Sequence, residues 1–328
     1  MRLATFNLEN LELGRRARVD FEQRLAILRP ALERLAADVI CFQEVNGQHV
    51  SGKEHRQLVA LDRLLKGTRY QDFSRATTSG AGGQGVADVH NLVTLSRFPI
   101  VGSREVRHDL VAPLMHTSIT AEPGSGAQSP VTFDRSLLVT DVALPDETVL
   151  SVINVHLRAP LASAIAGQKS APFAWRSVAG WAEGFFLSAL KREAQALELR
   201  LVVEEILSKD PAALIAVAGD YNAEDHGPTL QLAVAAEEDV GSNELAAHSL
   251  VVLDRAISAD RRWSVLHHGR EQMLDHILAS RTLYGHFRSI EVHNEGLGDE
   301  ALGYGKSLHS AASYHAPVVA EFEVAGVR

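Results

Sequence analysis

The chain has 328 residues, 46% of them hydrophobic and 22% charged, the composition of an ordinary soluble protein that can bury a large core. Its formal charge of -9 excludes a global positive field that would gather polyanions, so nucleic acid or phosphate binding has to come from a local patch or a metal. Cys41 is the only cysteine, which excludes an internal disulfide, and no apolar run approaches membrane-spanning length.

The first residues, Met1 to Phe6, already read as a strand, which leaves no room for a signal peptide and makes the cytoplasm the expected compartment. If that strand continues through Asn7, alternation puts Thr5, Asn7 and Glu9 on one side. Phe21, Leu25, Leu28, Leu32 and Leu35 then fall at spacings of four and three, the stripe of an amphipathic helix. Val39 to Phe42 is a second buried strand, with Cys41 in it, and it delivers Gln43 and Glu44 at its far end. Leu58, Leu61 and Leu65 suggest another helix, and Ser79 to Gly85 is a glycine-rich loop.

Asn91 to Ser96 reads as a strand that halts before Pro99, because proline removes a ladder donor. The Pro/Gly/Ser stretch at 122–130 is a hairpin or loop, followed by strands Ser136 to Val142 and Val149 to Leu157. At the end of the latter, Asn154, His156 and Arg158 share a face. From Ala159 to Ala189 the periodicity breaks down in a long connection rich in aromatics, and loops of that length inside compact domains are often functional. Helical spacing resumes at Leu190, Ala194, Leu197 and Leu201.

Leu214 to Ala218 is an apolar run that stops at Gly219-Asp220-Tyr221-Asn222, which places Asp220 and Asn222 at the rim of a sheet. Such a turn is also an ordinary way to end a strand. Arg262 to Leu266, Met273 to Leu278 with Asp275 embedded in it, and Phe287 to Val292 follow as strands. A Gly- and His-bearing loop then leads to Ser313, and Val318 to Val324 alternates as an outer strand. Many strands with interspersed helices, and no clear linker, give one α+β domain over residues 1–328, built on two packed sheets with a loop insertion at about 159–189.

Seven segments stand in order: Thr5-Phe6-Asn7, Gln43-Glu44, Leu95 to Ile100, His156-Leu157, Gly219 to Asn222, Asp275-His276 and Ser313 to Pro317. Together they resemble the endonuclease/exonuclease/phosphatase superfamily, the group of DNase I, exonuclease III, inositol polyphosphate 5-phosphatases and bacterial sphingomyelinases. The resemblance implies a four-layer α/β/β/α sandwich and hydrolysis of a phosphate ester at the strand ends, with Mg²⁺ or Mn²⁺ as cofactor. A phosphodiester is an anion that repels nucleophiles, so its site must neutralise oxygens, activate water and support the departing alkoxide. Mg²⁺ takes hard oxygen ligands and keeps several waters, so one or two carboxylates suffice to hold it.

By resemblance, Glu44 is the principal metal ligand and Glu9 a second acid. Asp220 orients or deprotonates the attacking water, with Asn222 and Asn7 donating to phosphate oxygens or metal-bound water. His315, with Asp275 as its partner, keeps the charge that stabilises the transition state. His156 contacts the scissile phosphate, and Arg158 assists or is merely solvated. One departure stands out: most relatives read Ser-Asp-His where this chain reads Ser313-Tyr314-His315, so a negative charge near the metal cluster is missing. His267 and His268 lack zinc-ligand spacing and are treated as surface residues.

Loops set the substrate on this scaffold. Arg158, Lys169, Arg176, Lys191 and Arg192 furnish a local basic rim, which favours DNA, RNA or another polyanion. The expected activity is therefore that of a metal-dependent phosphodiesterase with nuclease as the leading subtype. The alternatives are a phosphatase or phospholipase-like esterase on a small or lipid substrate, and a weakened member that only binds phosphate groups.

Overall fold

The computed structural model describes residues 1–14, 19–124, 126–301, 310–324 and 326. In chain order the first part comprises β1 (Arg2–Leu11), α1 (Phe21–Leu35), β2 (Val39–Val45), α2 (Val59–Leu65), β3 (Ser74–Thr77), β4 (Asn91–Ser96) and β5 (Ile100–Val106). A hairpin of β6 (Leu114–Thr117) and β7 (Gln128–Val131) follows, then β8 (Leu137–Ala143) and β9 (Val149–His156). A small hairpin of β10 (Lys169–Ala171) and β11 (Ala174–Trp175) precedes the long α3 (Val178–Lys209), β12 (Leu214–Asp220), α4 (Pro228–Val234), α5 (Glu237–Val240) and β13 (Leu250–Val252). The chain ends with β14 (Val265–His267), β15 (Arg270–Gln272), β16 (Asp275–Ser280), α6 (Arg281–Tyr284), β17 (Phe287–Val292) and β18 (Val318–Phe322).

Two six-stranded sheets result, ordered β17-β18-β1-β2-β4-β3 and β13-β16-β12-β9-β8-β5. Each holds one parallel pair, β1 with β2 and β9 with β12, and pairs its other strands antiparallel. A parallel pair cannot be joined by a tight turn, so each crossover carries a helix: α1 for the first sheet and α3 for the second. The inner faces meet in one core, where Leu3, Cys41 and Val318 pack with Val152, Ala216 and Ile277. Outside, α1 and α2 cover Ile40, Phe42 and Val93, while α3 and α4 cover Ile153, Val155 and Val217. This is the α/β/β/α sandwich that the sequence resemblance implies.

The predicted stripe of α1 is its buried face: Phe21, Leu25, Leu28, Leu32 and Leu35. Each such side chain contributes about 1.5–3 kcal/mol by leaving water. The helix is capped at Asp20, whose side chain accepts from the Gln23 N–H.

Several boundaries differ from the sequence reading. The insertion at 159–189 is shorter than predicted, because α3 begins at Val178 and not at Leu190. Its first turns turn Gly180, Glu183, Gly184 and Ser188 inward, so no apolar stripe announces them. The closing strand, predicted as outer, lies inside its sheet between β17 and β1, and β17 takes the edge. The strand predicted from Arg262 is confined to Val265–His267, and that predicted from Met273 begins at Asp275. Part of the predicted Gly- and His-bearing loop, 302–309, and one residue of the 122–130 stretch lie outside the described residues.

Candidate active site

Sheet register brings the polar strand ends together. β12 pairs with β9 so that Asp220 faces His156, and with β16 so that Asp220 faces Asp275. Two strands therefore end, and a third begins, at one level with His156, Asp220 and Asp275 side by side. Gly219 makes the approach possible: a Cβ there would stand 2.0 Å from the Val155 carbonyl oxygen, and its φ is +156°.

The facing sheet supplies Asn7 from β1 and Glu44 from β2. The pairing of β1 with β2 shifts between Asn7↔Gln43 and Leu11↔Val45, so β1 carries extra residues there, as in a bulge that re-aims side chains. Five non-glycine residues at this rim, Glu9, Asn10, Glu44, His90 and Asn222, have φ between 48° and 61°. A left-handed conformation is costly for such residues, and its concentration here is a mark of a functional edge. The Asn7 amide nitrogen spans the sheets, 3.0 Å from Asp220 Oδ2 and 3.3 Å from Glu44 Oε1.

His315 is placed by the turn that precedes β18. The Ser313 hydroxyl donates to the Asn7 carbonyl at 2.7 Å and accepts the His315 N–H at 3.0 Å. His315 Nδ1 lies 2.8 Å from Asp275 Oδ2, which also accepts from the Ser264 hydroxyl, and its Nε2 lies 4.0 Å from Asp220 Oδ2. His156 Nε2 is 3.3 Å from the same Asp220 oxygen and 3.7 Å from Glu44 Oε1.

The other predicted residues are engaged within the protein. Asn222 donates from its backbone to Asp220 Oδ1 and from its amide to the Leu157 carbonyl. Glu9 accepts the Tyr314 N–H at 2.8 Å. Arg158 is committed to Asp134, to the Ser188 hydroxyl and to the Leu161 carbonyl. Tyr314, the departure from the usual motif, is a buried side chain whose hydroxyl accepts the Ser310 N–H and whose ring stands next to Gly298.

Two residues of this rim were not singled out from the sequence. His90 stacks on His156 with ring centroids 6.0 Å apart. Arg135 donates to His90 Nδ1 and to the Leu157 carbonyl, each at 2.9 Å. His90 immediately precedes β4 and Arg135 stands two residues before β8, which is the only signal either sequence position offers. Behind Asp220, a third unpredicted group fixes the loop: His276 places one ring nitrogen 3.0 Å from Asp254 and the other 3.0 Å from the Ala223 carbonyl. Two acceptors require two N–H donors, so this ring is an imidazolium, and despite burial Asp254 raises its pKa.

The electrostatics divide the site. For Asp220, burial favours the neutral acid, but the His315 charge and the His156 hydrogen bond outweigh it and hold the carboxyl well below the usual range. For His315, burial opposes the charge, yet Asp275 and Asp220 raise its pKa far above that of a free imidazole. Asp275 itself is raised, by burial first and by the Asp220 charge, so the pair keeps a proton well above neutrality. On the other side, burial and then the Arg135 charge lower both His156 and His90, the latter to about 4. Glu44 is lowered; burial acts against its charge, but the cations around it favour it, His156 and His90 wherever they carry a second proton and Arg135 and His315 throughout.

Two sets of potential ligand atoms lie within 4.8 Å of one another, Glu44 with His90 and His156, and Asp220 with Asp275 and His315. The donor chemistry at Glu44 fits a hard divalent cation through its ionised carboxylate, while the imidazoles beside it, held neutral, add no competing positive charge.

The sequence profile of the Endonuclease/Exonuclease/phosphatase family matches residues 4–315. No curated protein matches the chain. Among solved structures, a Bacteroides vulgatus protein described as an endonuclease/exonuclease/phosphatase superposes with a TM-score of 0.57 at 14% identity, covering 98% of each chain. Truncated Caenorhabditis elegans TDP2 gives 0.55 at 14% identity over 98% of this chain and 97% of that one. An AP endonuclease from Archaeoglobus fulgidus gives 0.50 at 14% identity over 99% and 100%. At these identities the likeness shows the fold.

Proposed function

Since the chain belongs to the Endonuclease/Exonuclease/phosphatase family, we propose that it is a metal-dependent phosphodiesterase in which water displaces an alkoxide from phosphorus. One observation carries the reading. The His315 imidazolium keeps Nε2 4.0 Å from Asp220 Oδ2, close enough to be attracted and too far to hydrogen-bond. That N–H has no acceptor within bonding distance among the described residues, so it is available to a phosphate oxygen.

In this scheme Asp220 accepts a hydrogen bond from the attacking water, aims it at phosphorus and takes its proton as the bond forms. Its low pKa makes it an orienting group first and a base only as the nucleophile becomes acidic. Asn7 and Asn222 hold Asp220 in place, and Asp275 keeps His315 charged for the negative charge that develops on the phosphoryl oxygens. His156 donates to Asp220 at rest and is placed to share that proton with the scissile phosphate. Glu44 would hold Mg²⁺ or Mn²⁺, with Glu9 as a second acid, and the ion when bound supplies Lewis-acid neutralisation of phosphate oxygens.

Nucleic acid is the leading substrate class. A cleft of about 280 Å³ is lined by Arg107, Arg135 and Arg158, with Asp134 as its one acid, a local concentration of cations in an acidic chain. A second reading, an esterase of phospholipid head groups, is favoured by the exposed apolar residues along α3, such as Trp181 and Phe186.

The test is hydrolysis of bis-p-nitrophenyl phosphate beside nicking of supercoiled plasmid, in Mg²⁺, Mn²⁺ or EDTA, for wild type and His315→Ala. Removing one preorganised charge should lower kcat about 100- to 1,000-fold. Metal-dependent nicking supports the nuclease, and diester turnover without nicking moves the substrate to small molecules or lipids. No turnover of either substrate by a folded wild-type protein would overturn the enzyme reading.

A further inference from the structure

The first turns of α3 are built inside out. Their inward side is small or polar, Gly180, Glu183, Gly184 and Ser188, and it lies so close to the preceding loop that a Cβ on Gly184 would stand 2.3 Å from the Ser163 carbonyl oxygen. Glu183 accepts from the backbone N–H groups of Ile119 and Thr120 and sits 2.8 Å from His116 Nε2, which ties the β6–β7 loop to the same helix. Held this way, the helix points its large apolar side chains outward, with the Trp181 and Phe185 rings stacked at 5.5 Å. The neighbouring tips do the same: Phe173 is 90% exposed, Ile119 85% and Val178 81%. Soluble proteins rarely present so many large apolar groups on adjoining elements without a partner.

Charge identifies that partner. Residues 160–190 carry only Lys169, Arg176 and Glu183 as charged side chains, and the acid is the buried one. Residues 114–131 add only Glu122. In a chain with 41 acids and 32 bases, this face is depleted of carboxylates and keeps cations at its rim. We infer that it docks on an anionic phospholipid membrane, with Phe173, Val178, Trp181 and Ile119 in the interfacial layer and Lys169 and Arg176 at the lipid phosphates.

A second copy fits less well. In a two-fold contact the face meets itself, which opposes Lys169 and Arg176 to their own copies with hardly a carboxylate to pair them. Nucleic acid fits less well too, since Ile119, Val178 and Leu161 offer no ring for base stacking and two cations neutralise few phosphates. Trp in an otherwise aliphatic and Phe-rich surface is the composition of a membrane interface. The surface adjoins the reaction site: Leu161, which it includes, is held through its carbonyl by Arg158 at 3.1 Å and by the Ser188 hydroxyl at 2.6 Å.

The inference goes beyond the hydrolase reading, and its test does not use turnover. In EDTA, the full chain is floated with vesicles of phosphatidylcholine alone and of phosphatidylcholine with phosphatidylglycerol, beside a Phe173→Glu/Val178→Glu variant. Wild type is expected to float with the anionic vesicles, more weakly with the neutral ones, and the variant to bind at least about tenfold more weakly. Both positions are exposed, so the variant keeps wild-type hydrolysis of the small soluble diester if the hydrolase reading holds, and its wild-type thermal unfolding in any case. The inference is overturned if wild type stays with the soluble fraction in both cases, or if the variant floats equally. It is also overturned if the substitutions abolish a concentration-dependent dimer, or plasmid binding, with no vesicle binding in either protein.

Discussion

The two halves of the site use the same residue types to opposite ends. Around Asp220, His315 is clasped by Asp275 and held as a cation. Around Glu44, the buried His156 and the half-buried His90 stand beside the Arg135 guanidinium and are held neutral. Burial disfavours charge on all three rings, and for His156 it prevails although the Asp220 carboxylate lies 3.3 Å away. For the other two the sign of the nearest fixed charge adds to the difference: a carboxylate for His315, a guanidinium for His90. One rim thus holds a permanent cation facing the developing charge and, a few ångströms away, neutral imidazoles beside an ionised carboxylate, the separation of proton affinities that acid–base and metal chemistry both require.

Removing the carboxylate that makes the first half cationic gives the largest expected effect. Asp275→Asn leaves His315 with only the more distant Asp220 and Glu44 as anions, so its raised pKa falls. Activity that needs the imidazolium is present below that pKa and lost as pH rises through it, so the alkaline limb of the pH–kcat profile moves to lower pH. Above neutrality kcat falls about 100-fold. An unmoved alkaline limb would mean that Asp275 does not set the His315 charge.

The second half is broken at Glu44. Glu44→Gln keeps an oxygen for the Asn10 N–H, which Glu44 now accepts at 2.9 Å, but removes the charge. Metal affinity should weaken about ten- to a hundredfold, read by Mn²⁺ titration followed by magnetic resonance. Activity should return in part at high metal concentration, whereas Asp275→Asn should not respond to metal.

The parts of this comparison were unequally legible in the sequence. Asp220, His156 and Glu44 were readable because each sits where an apolar run stops, whereas Asp275 was read inside a strand and only the family resemblance singled it out; sheet register sets Asp220, His156 and Asp275 level. His90 and Arg135 sit outside any periodic segment, and only the pairing of β4 and β8 within separate sheets brings them to one cleft. The start of α3 was hidden for a different physical reason: its inward face is Gly180, Gly184 and Ser188, so apolar periodicity points at the solvent. The interior position of β18 was hidden because alternation records which face is buried and not how many neighbours a strand has.

The smallest and most diagnostic change is Arg135→Met, which removes the charge that, after burial, does most to keep the second half neutral while retaining much of the side-chain volume. His90 Nδ1 then loses its donor and becomes free to take a proton beside Glu44. Its titration midpoint, about 4 in the parent, should move up toward the ordinary value of about 6.5, read from the imidazole resonance. Stability supplies an independent reading of the same shift. In the parent the unfolded chain binds the His90 proton first, so this group removes stability as pH falls from about 6.5 to about 4. In the variant that slope should flatten, while KM for an anionic diester rises about tenfold through loss of one cation. A KM change with no change in the His90 titration would assign Arg135 to substrate alone and leave burial as the sole reason that His90 is neutral.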